Sequence, residues 1–303
     1  MLWLTERQGR SVQPAISGLA TGHEYAMIAP FHTTSVEESA HFLGGSSRMQ
    51  PAPYTIYAVQ YAQRNTNSSE LFVGDHHNTP MRMAYFVWAL TNGTQTVVVD
   101  LGFTEAVGTR RGRQFLRCPS KGLAMLGIDC NTVEHVILSH FHYDHVGCYA
   151  LFPNATFYVQ DAEMNFYTGR YASQAAFRHS VEVDDVLALV RLNYEGRVVF
   201  VDGDKEILPG ISVHKVGGHT AGMQIVTVST KHGRAVVASD ASHYYHNFEQ
   251  NVPFATHHDL PGMYAGFQRL RDLADRQDLI LPGHDPLVFA RLQKVDDGIV
   301  SMG

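Results

Sequence analysis

The chain has 303 residues, 45% apolar and 17% charged, with a formal net charge of −6, which suits a soluble globular core rather than a fibrous or unfolded chain. It carries no block of about five or six like charges, the nearest being Arg110-Arg111-Gly112-Arg113, so a nucleic-acid partner is not expected. No apolar run reaches the roughly 18 residues of a membrane span, and Met1–Gln8 lacks the basic start and apolar stretch of an export leader. Three cysteines, Cys118, Cys130 and Cys148, follow no CxxC spacing and read as free thiols in a reducing compartment, so the expected location is cytoplasmic, with no membrane partner.

Residues 1–53 show little periodicity and end in the Gly/Ser/Pro cluster of Gly44-Gly45-Ser46-Ser47 and Pro51. They read as an N-terminal extension, an arm that could join two copies of the chain as a homodimer. The catalytic domain is expected over 54–303. Tyr54–Tyr61 is β-prone, and Met83–Leu90 and Thr96–Asp100 flank an Asn92-Gly93 turn, the signature of a hairpin. A helix is expected over 112–127, with Pro119 as a break. Val136–Ser139 and Ala155–Val159 are strands, and 161–192 is mostly helical in pattern. Four further strands follow at Val198–Val201, Ile211–Val216, Gln224–Val228 and Ala235–Ala238. A helix over about 261–275 precedes a last strand at Leu279–Leu281. Strands in series with helices between groups predict an α/β fold in which two sheets are flanked by helices.

Histidine is the compositional outlier, at 18 residues. Four metal-type ligands fall within His140-Phe141-His142-Tyr143-Asp144-His145, directly after a predicted strand. On an extended chain His140 and His142 point the same way and can grip one ion, while a following turn swings Asp144 and His145 toward a second. Three later strand ends supply further ligands: His219, Asp240 and His284. Imidazole and carboxylate suit zinc, and also iron, cobalt or manganese.

The run His140 to His145 resembles the HxHxDH signature of the metallo-β-lactamase superfamily, and His219, Asp240 and His284 follow in that family's order. The resemblance covers about residues 54–290. Within the superfamily, Asp240-Ala241-Ser242, the stretch Asn247–Ala255, and Tyr194-Glu195-Gly196 through Ile211 are most similar to N-acyl-homoserine lactonases. It implies an αββα sandwich of two mixed β-sheets flanked by helices. It implies two divalent metal ions per chain, zinc by default: one held by His140, His142 and His219, the other by Asp144, His145 and His284, with Asp240 bridging.

Two departures from the lactonase pattern stand out. Where those enzymes carry a tyrosine soon after the bridging aspartate, this chain has His243, then Tyr244 and Tyr245, so all three are candidate substrate contacts. The family's His-Thr-Pro-Gly-His turn is here His219-Thr220-Ala221-Gly222-Met223. The implied reaction opens a lactone, a cyclic carboxylic ester and possible acyl-homoserine lactone, by attack of a metal-bridging hydroxide, with Asp144 able to accept or relay a proton. Phe141, Tyr143, Phe152, Phe248 and Phe254 are read as an apolar pocket for the substrate's acyl or ring substituent. The cage alone does not separate a lactonase from a thioester hydrolase of the glyoxalase II type or a β-lactam hydrolase. An iron-dependent oxidoreductase of the same fold would call for a carboxylate at His142 and a flavin domain.

Overall fold

The structure, a computed structural model, describes residues 52–303; the expected N-terminal arm, and the dimer contact assigned to it, lie outside them. β1 (Thr55–Asn67) pairs antiparallel with β2 (Pro80–Thr91), which turns back into β3 (Thr96–Val99). The Asn92 side chain closes that turn, accepting from the amides of Thr94 at 3.1 Å and Gln95 at 2.9 Å, while Gly93 takes φ +87°. The further strands are β4 (Gln114–Phe115), β5 (His135–Ile137), β6 (Thr156–Gln160), β7 (Val198–Val201), β8 (Lys205–Leu208), β9 (Ile211–Lys215), β10 (Gln224–Thr230), β11 (Gly233–Ser239), β12 (Ile280–Pro282), β13 (Gln293–Asp296) and β14 (Ile299–Met302).

These strands make two mixed sheets. The first runs β13-β14-β1-β2-β3-β5-β6-β7, with β4 added beside β1; the second runs β12-β11-β10-β9-β8. The β3-β5-β6-β7 steps and the β11–β12 step are parallel, and the others are antiparallel. Alternation along β2 shows how the layers form. Phe86, Trp88 and Leu90 join Val213, Ile225 and Val237 of the second sheet in one core. Tyr85, Val87 and Ala89 face the other way, into a second core with Leu123, Val186 and Leu189 from the outer helices. The helix Leu260–Leu273 lays Met263, Phe267 and Leu270 into the first of these cores. Helix, sheet, sheet and helix are therefore stacked in that order, as the sequence implied.

Several local expectations are corrected. Residues 112–127 are not one helix: Gln114–Phe115 is strand β4, and the helix there covers only Pro119–Ala124, beginning at the proline. Proline suits a first helical position, where its missing amide has no intrahelical partner, so Pro119 starts the helix instead of interrupting it. An earlier helix, Glu105–Arg110, is capped by the Thr104 hydroxyl on the Val107 amide. The stretch 161–192 resolves into helices Asp161–Tyr167, Ala175–Arg178 and Val183–Tyr194. Strands β8, β13 and β14, unforeseen from the sequence, carry weak patterns; β13 is exposed throughout, and β14 is recruited by backbone pairing to β1, with Ile56 opposite Met302.

Candidate metal centre

Strand ends converge on one buried point. After β5 the chain bends at Ser139, runs through His140 to His142, whose backbone is extended, and then winds into a single helical turn, Tyr143–Val146, which carries Asp144 and His145. After β9 two successive glycines, Gly217 and Gly218, adopt φ +65° and +81° and deliver His219. A Cβ on Gly218 would stand 2.7 Å from the Met263 amide nitrogen, so only glycine lets this loop meet the helix Leu260–Leu273. β11 ends with Ser239 at φ +44° and presents Asp240, and β12 leads through Gly283 to His284. All seven of these histidines and aspartates are buried.

Asp240 stands between two sets of donors. Its Oδ2 lies 3.3 Å from His219 Nε2 and 3.8 Å from His140 Nε2. Its Oδ1 lies 2.9 Å from His284 Nε2 and 3.5 Å from His145 Nε2. Asp144 Oδ2 is 3.7 Å from His284 Nε2 and 3.6 Å from His145 Nε2, while His142 Nδ1 faces His219 Nε2 at 3.0 Å. Ligand atoms of His140, His142, His219 and Asp240 lie within 4.8 Å of one another, as do those of Asp144, His145 and His284, and of Asp240, His243 and His284.

The far sides of the imidazoles explain their aim. His219 Nδ1 meets the Thr256 carbonyl at 2.7 Å and His284 Nδ1 meets the Ala84 carbonyl at 2.7 Å. A carbonyl only accepts, so each Nδ1 carries the proton and each Nε2 keeps its lone pair turned inward. His145 Nδ1 is held by Asp100 Oδ2 at 2.8 Å, and His140 Nδ1 by the Ser139 hydroxyl at 2.9 Å. Within the cluster, Nε2 of His140, His145 and His284 and Oδ1 of Asp240 are buried without a hydrogen-bond partner among the described residues. Leaving buried polar atoms unpaired costs about 1–3 kcal/mol each. Divalent cations would satisfy all of them at once, so the donor set fits a metal.

Electrostatics point the same way. Burial, reinforced by neighbouring histidines, holds His140 and His142 well below the usual imidazole range, in the neutral form that ligates. Burial pushes the Asp144 carboxyl up, yet His145 and His284 outweigh it and hold the group below its ordinary value. Burial also opposes charge on His145, but the carboxylates of Asp100, Asp240 and Asp144 hold a proton on it in the absence of a cation.

Two buried carboxylates absent from the sequence-level site brace this arrangement. Asp100, at φ +60°, accepts from the Ser139 amide, the hydroxyls of Ser139 and Ser239, and His145 Nδ1, each at 2.8 Å. Glu163 accepts from the Phe141 amide at 2.8 Å, the Thr220 hydroxyl at 2.8 Å and the Gly222 amide at 2.7 Å, tying the His140–His142 loop to the His219 loop. The signal for Asp100 was visible, an aspartate closing an apolar strand before Leu101-Gly102; Glu163 sits inside a helical pattern with nothing to mark it.

Of the three residues read as substrate contacts, the structure brings one to the cluster. His243 Nε2 lies 3.0 Å from Asp240 Oδ2, and its main-chain carbonyl accepts from the His284 amide at 2.9 Å. Burial pushes its pKa down to about 4. The Tyr244 hydroxyl instead donates to the Arg82 carbonyl at 2.8 Å, and the Tyr245 ring lies under the Arg291 guanidinium at 3.6 Å. The expected aromatic pocket is also revised. Phe152 and Phe248 are fully buried core residues, Phe141 stacks on Tyr167, and Tyr143 is stacked with Phe103 and covered by Arg111. Phe254, also fully buried, sets its ring against the imidazoles of His219 and His243. Tyr85, not foreseen, sets its ring edge-on to His284 at 5.0 Å.

Comparison with known proteins places this geometry. A family model described as the metallo-β-lactamase superfamily matches residues 80–284. An N-acyl homoserine lactonase of Bacillus sp is 32% identical over 165 residues, which is 54% of this chain and 60% of that relative's length. The solved structure of an N-acyl homoserine lactone hydrolase, with the product N-hexanoyl-L-homoserine bound at its catalytic metal center, superposes with a TM-score of 0.67 at 20% identity, covering 80% of this chain and 97% of that one. AidC, a dizinc quorum-quenching lactonase, gives a TM-score of 0.59 at 17% identity, covering 77% of this chain and 88% of AidC. These two structural likenesses speak to the fold.

Proposed function

The chain belongs to the metallo-β-lactamase superfamily, and from that premise we propose that it is a dinuclear metal-dependent hydrolase that opens lactone rings. The observation that carries the reading is Asp240: its Oδ1 faces the Nε2 atoms of His145 and His284 and its Oδ2 those of His140 and His219, and of these four buried nitrogens all but that of His219 lack a hydrogen-bond partner among the described residues. His140, His142 and His219 would hold one ion and Asp144, His145 and His284 the other, with Asp240 shared; zinc is the default, and iron, cobalt or manganese suit the same donors. Bound ions would supply an activated water and Lewis-acid polarisation of the ester carbonyl.

The protein's own groups do the rest. Asp100 and the Thr256 and Ala84 carbonyls hold the imidazoles in the ligating tautomer. Asp144, as a ligand, stays ionised. His243 is the substrate-facing group: Nε2 is bound to Asp240, and Nδ1, buried without a partner among the described residues, can accept a hydrogen bond from the substrate. Residues 54–303 form the catalytic domain. The partner is a small-molecule lactone or ester, and the lactonase relative, at 32% identity, supports an acyl-homoserine lactone among the candidates. No helix among the described residues is long and apolar enough to cross a membrane.

The test is turnover by metal-analysed protein on γ- and δ-lactones, acyl-homoserine lactones, a thioester and a β-lactam, followed with a pH indicator. Fast lactone opening with about two metals per chain is expected. Full metal occupancy without lactone opening would move the activity to another ester, thioester or amide.

A further inference from the structure

Beside the metal cluster lies a depression of about 350 Å³ whose inner edge is formed by His142 and His219. Its outer wall is aromatic. Phe166 meets Phe177 edge-on at 5.0 Å and 87°, and meets His258 edge-on at 4.9 Å and 89°; Phe177 and His258 are tilted at 5.7 Å. Phe166, which packs against the helix-side core, and Phe177 are half-buried, and His258 is exposed.

The walls are hung from the ligand-bearing loops themselves. The Tyr143 amide donates to the Ser180 carbonyl at 2.9 Å, tying the segment after helix Ala175–Arg178 to the metal-binding run. The His258 amide donates to the carbonyls of Gly218 at 2.9 Å and His219 at 3.0 Å, and the Thr256 carbonyl accepts from His219 Nδ1. The rings are thus placed in register with the reacting centre. Among the described residues, no lysine, arginine, aspartate or glutamate lines the depression. A charged substituent such as a glutathione conjugate would find no fixed counter-charge there.

Resting on the lactone-hydrolase reading, we infer that this depression is the subsite for a neutral, planar aromatic substituent of the substrate, with Phe177 as its specificity-determining residue. A flat ring can pair face or edge with Phe166, Phe177 and His258 together, whereas an alkyl chain gains only area and loses rotamer freedom. The volume lies at the small end of small-molecule sites, about 300–1,000 Å³, which suits one ring better than a long chain.

The test compares two lactones of equal acyl carbon number, N-phenylacetyl- and N-octanoyl-homoserine lactone, on metal-replete wild type and Phe177→Ala. The readout is the ratio of kcat/KM values, from which any fraction lost to misfolding cancels, because both substrates meet the same preparation. The expected wild-type ratio favours the aryl substrate about tenfold, set by aromatic pairing, and collapses toward one in the variant through KM. A wild-type ratio near one, or a ratio unmoved by Phe177→Ala, overturns the inference while leaving lactone hydrolysis standing. If no lactone is opened, the functional reading falls, and calorimetry with the ring-opened N-phenylacetyl- and N-octanoyl-homoserine decides the subsite. Tighter aryl binding sustains it, and equal or weaker binding overturns it.

Discussion

The imidazole of His243 lies flat on the ring of Phe254, with centroids 3.5 Å apart and planes 12° from parallel. The stack fixes the plane in which Nε2 reaches Asp240, and leaves Nδ1 buried with no partner among the described residues. His243→Phe keeps an aromatic ring against Phe254 and removes both nitrogens. We expect metal content to hold while kcat/KM on a lactone falls roughly ten- to hundredfold, the cost of one lost buried hydrogen bond. Unchanged kinetics would leave His243 a purely structural role.

Asp240 joins the two halves of the cluster, so its loss is expected to disperse them. Asp240→Ala removes the carboxylate that faces both His219 and His284, and leaves the surrounding Nε2 atoms without that anionic partner. After dialysis, elemental analysis is expected to find less than the wild-type metal content, with turnover lost in parallel. Full metal and retained activity would remove Asp240 from the centre.

Asp100 touches no inward-facing ligand atom, yet Oδ2 accepts from three donors, one of them His145 Nδ1. Asp100→Asn would turn an amide against at least one of them. Loss of such an orienting partner costs about 10–100-fold in metal affinity. Competition with a graded chelator reads this directly, and an unchanged affinity would show that His145 is oriented without Asp100.

Asp185, in the first turn of the helix Val183–Tyr194, is buried with no partner for Oδ2 among the described residues, and burial raises its pKa from 3.8 to about 7. Between these values the folded chain holds a proton that the unfolded chain has released, so ionisation of Asp185 subtracts stability as pH rises from about 4 to 7 and levels off above. A shift of about three units corresponds to at most about 4 kcal/mol. Asp185→Asn is therefore expected to raise the melting temperature above wild type at pH 8 and to change it little at pH 4. Equal gains at both pH values would mean that the group is not buried as an acid.

The layered α/β architecture and the ligand candidates are legible in the order of residues alone. Alternation at β1–β3 and β9–β11 reflects side chains facing opposite sides of a sheet, and four ligand-type residues within six positions after a strand point to a metal far more than to packing. The remainder depends on contacts between segments distant in the chain. Asp100 meets Ser239 across 139 positions, and His284 finds the Ala84 carbonyl across 200. Tyr244 and Tyr245 were as available in sequence as His243, but backbone geometry after Asp240 turned one toward Arg82 and the other toward Arg291. Phe152 and Phe248 likewise read as pocket residues, and packing buried both in the core. Local propensity and ligand chemistry are written residue by residue, whereas the direction a side chain takes at a buried crossing is settled only when the opposing strand or loop arrives.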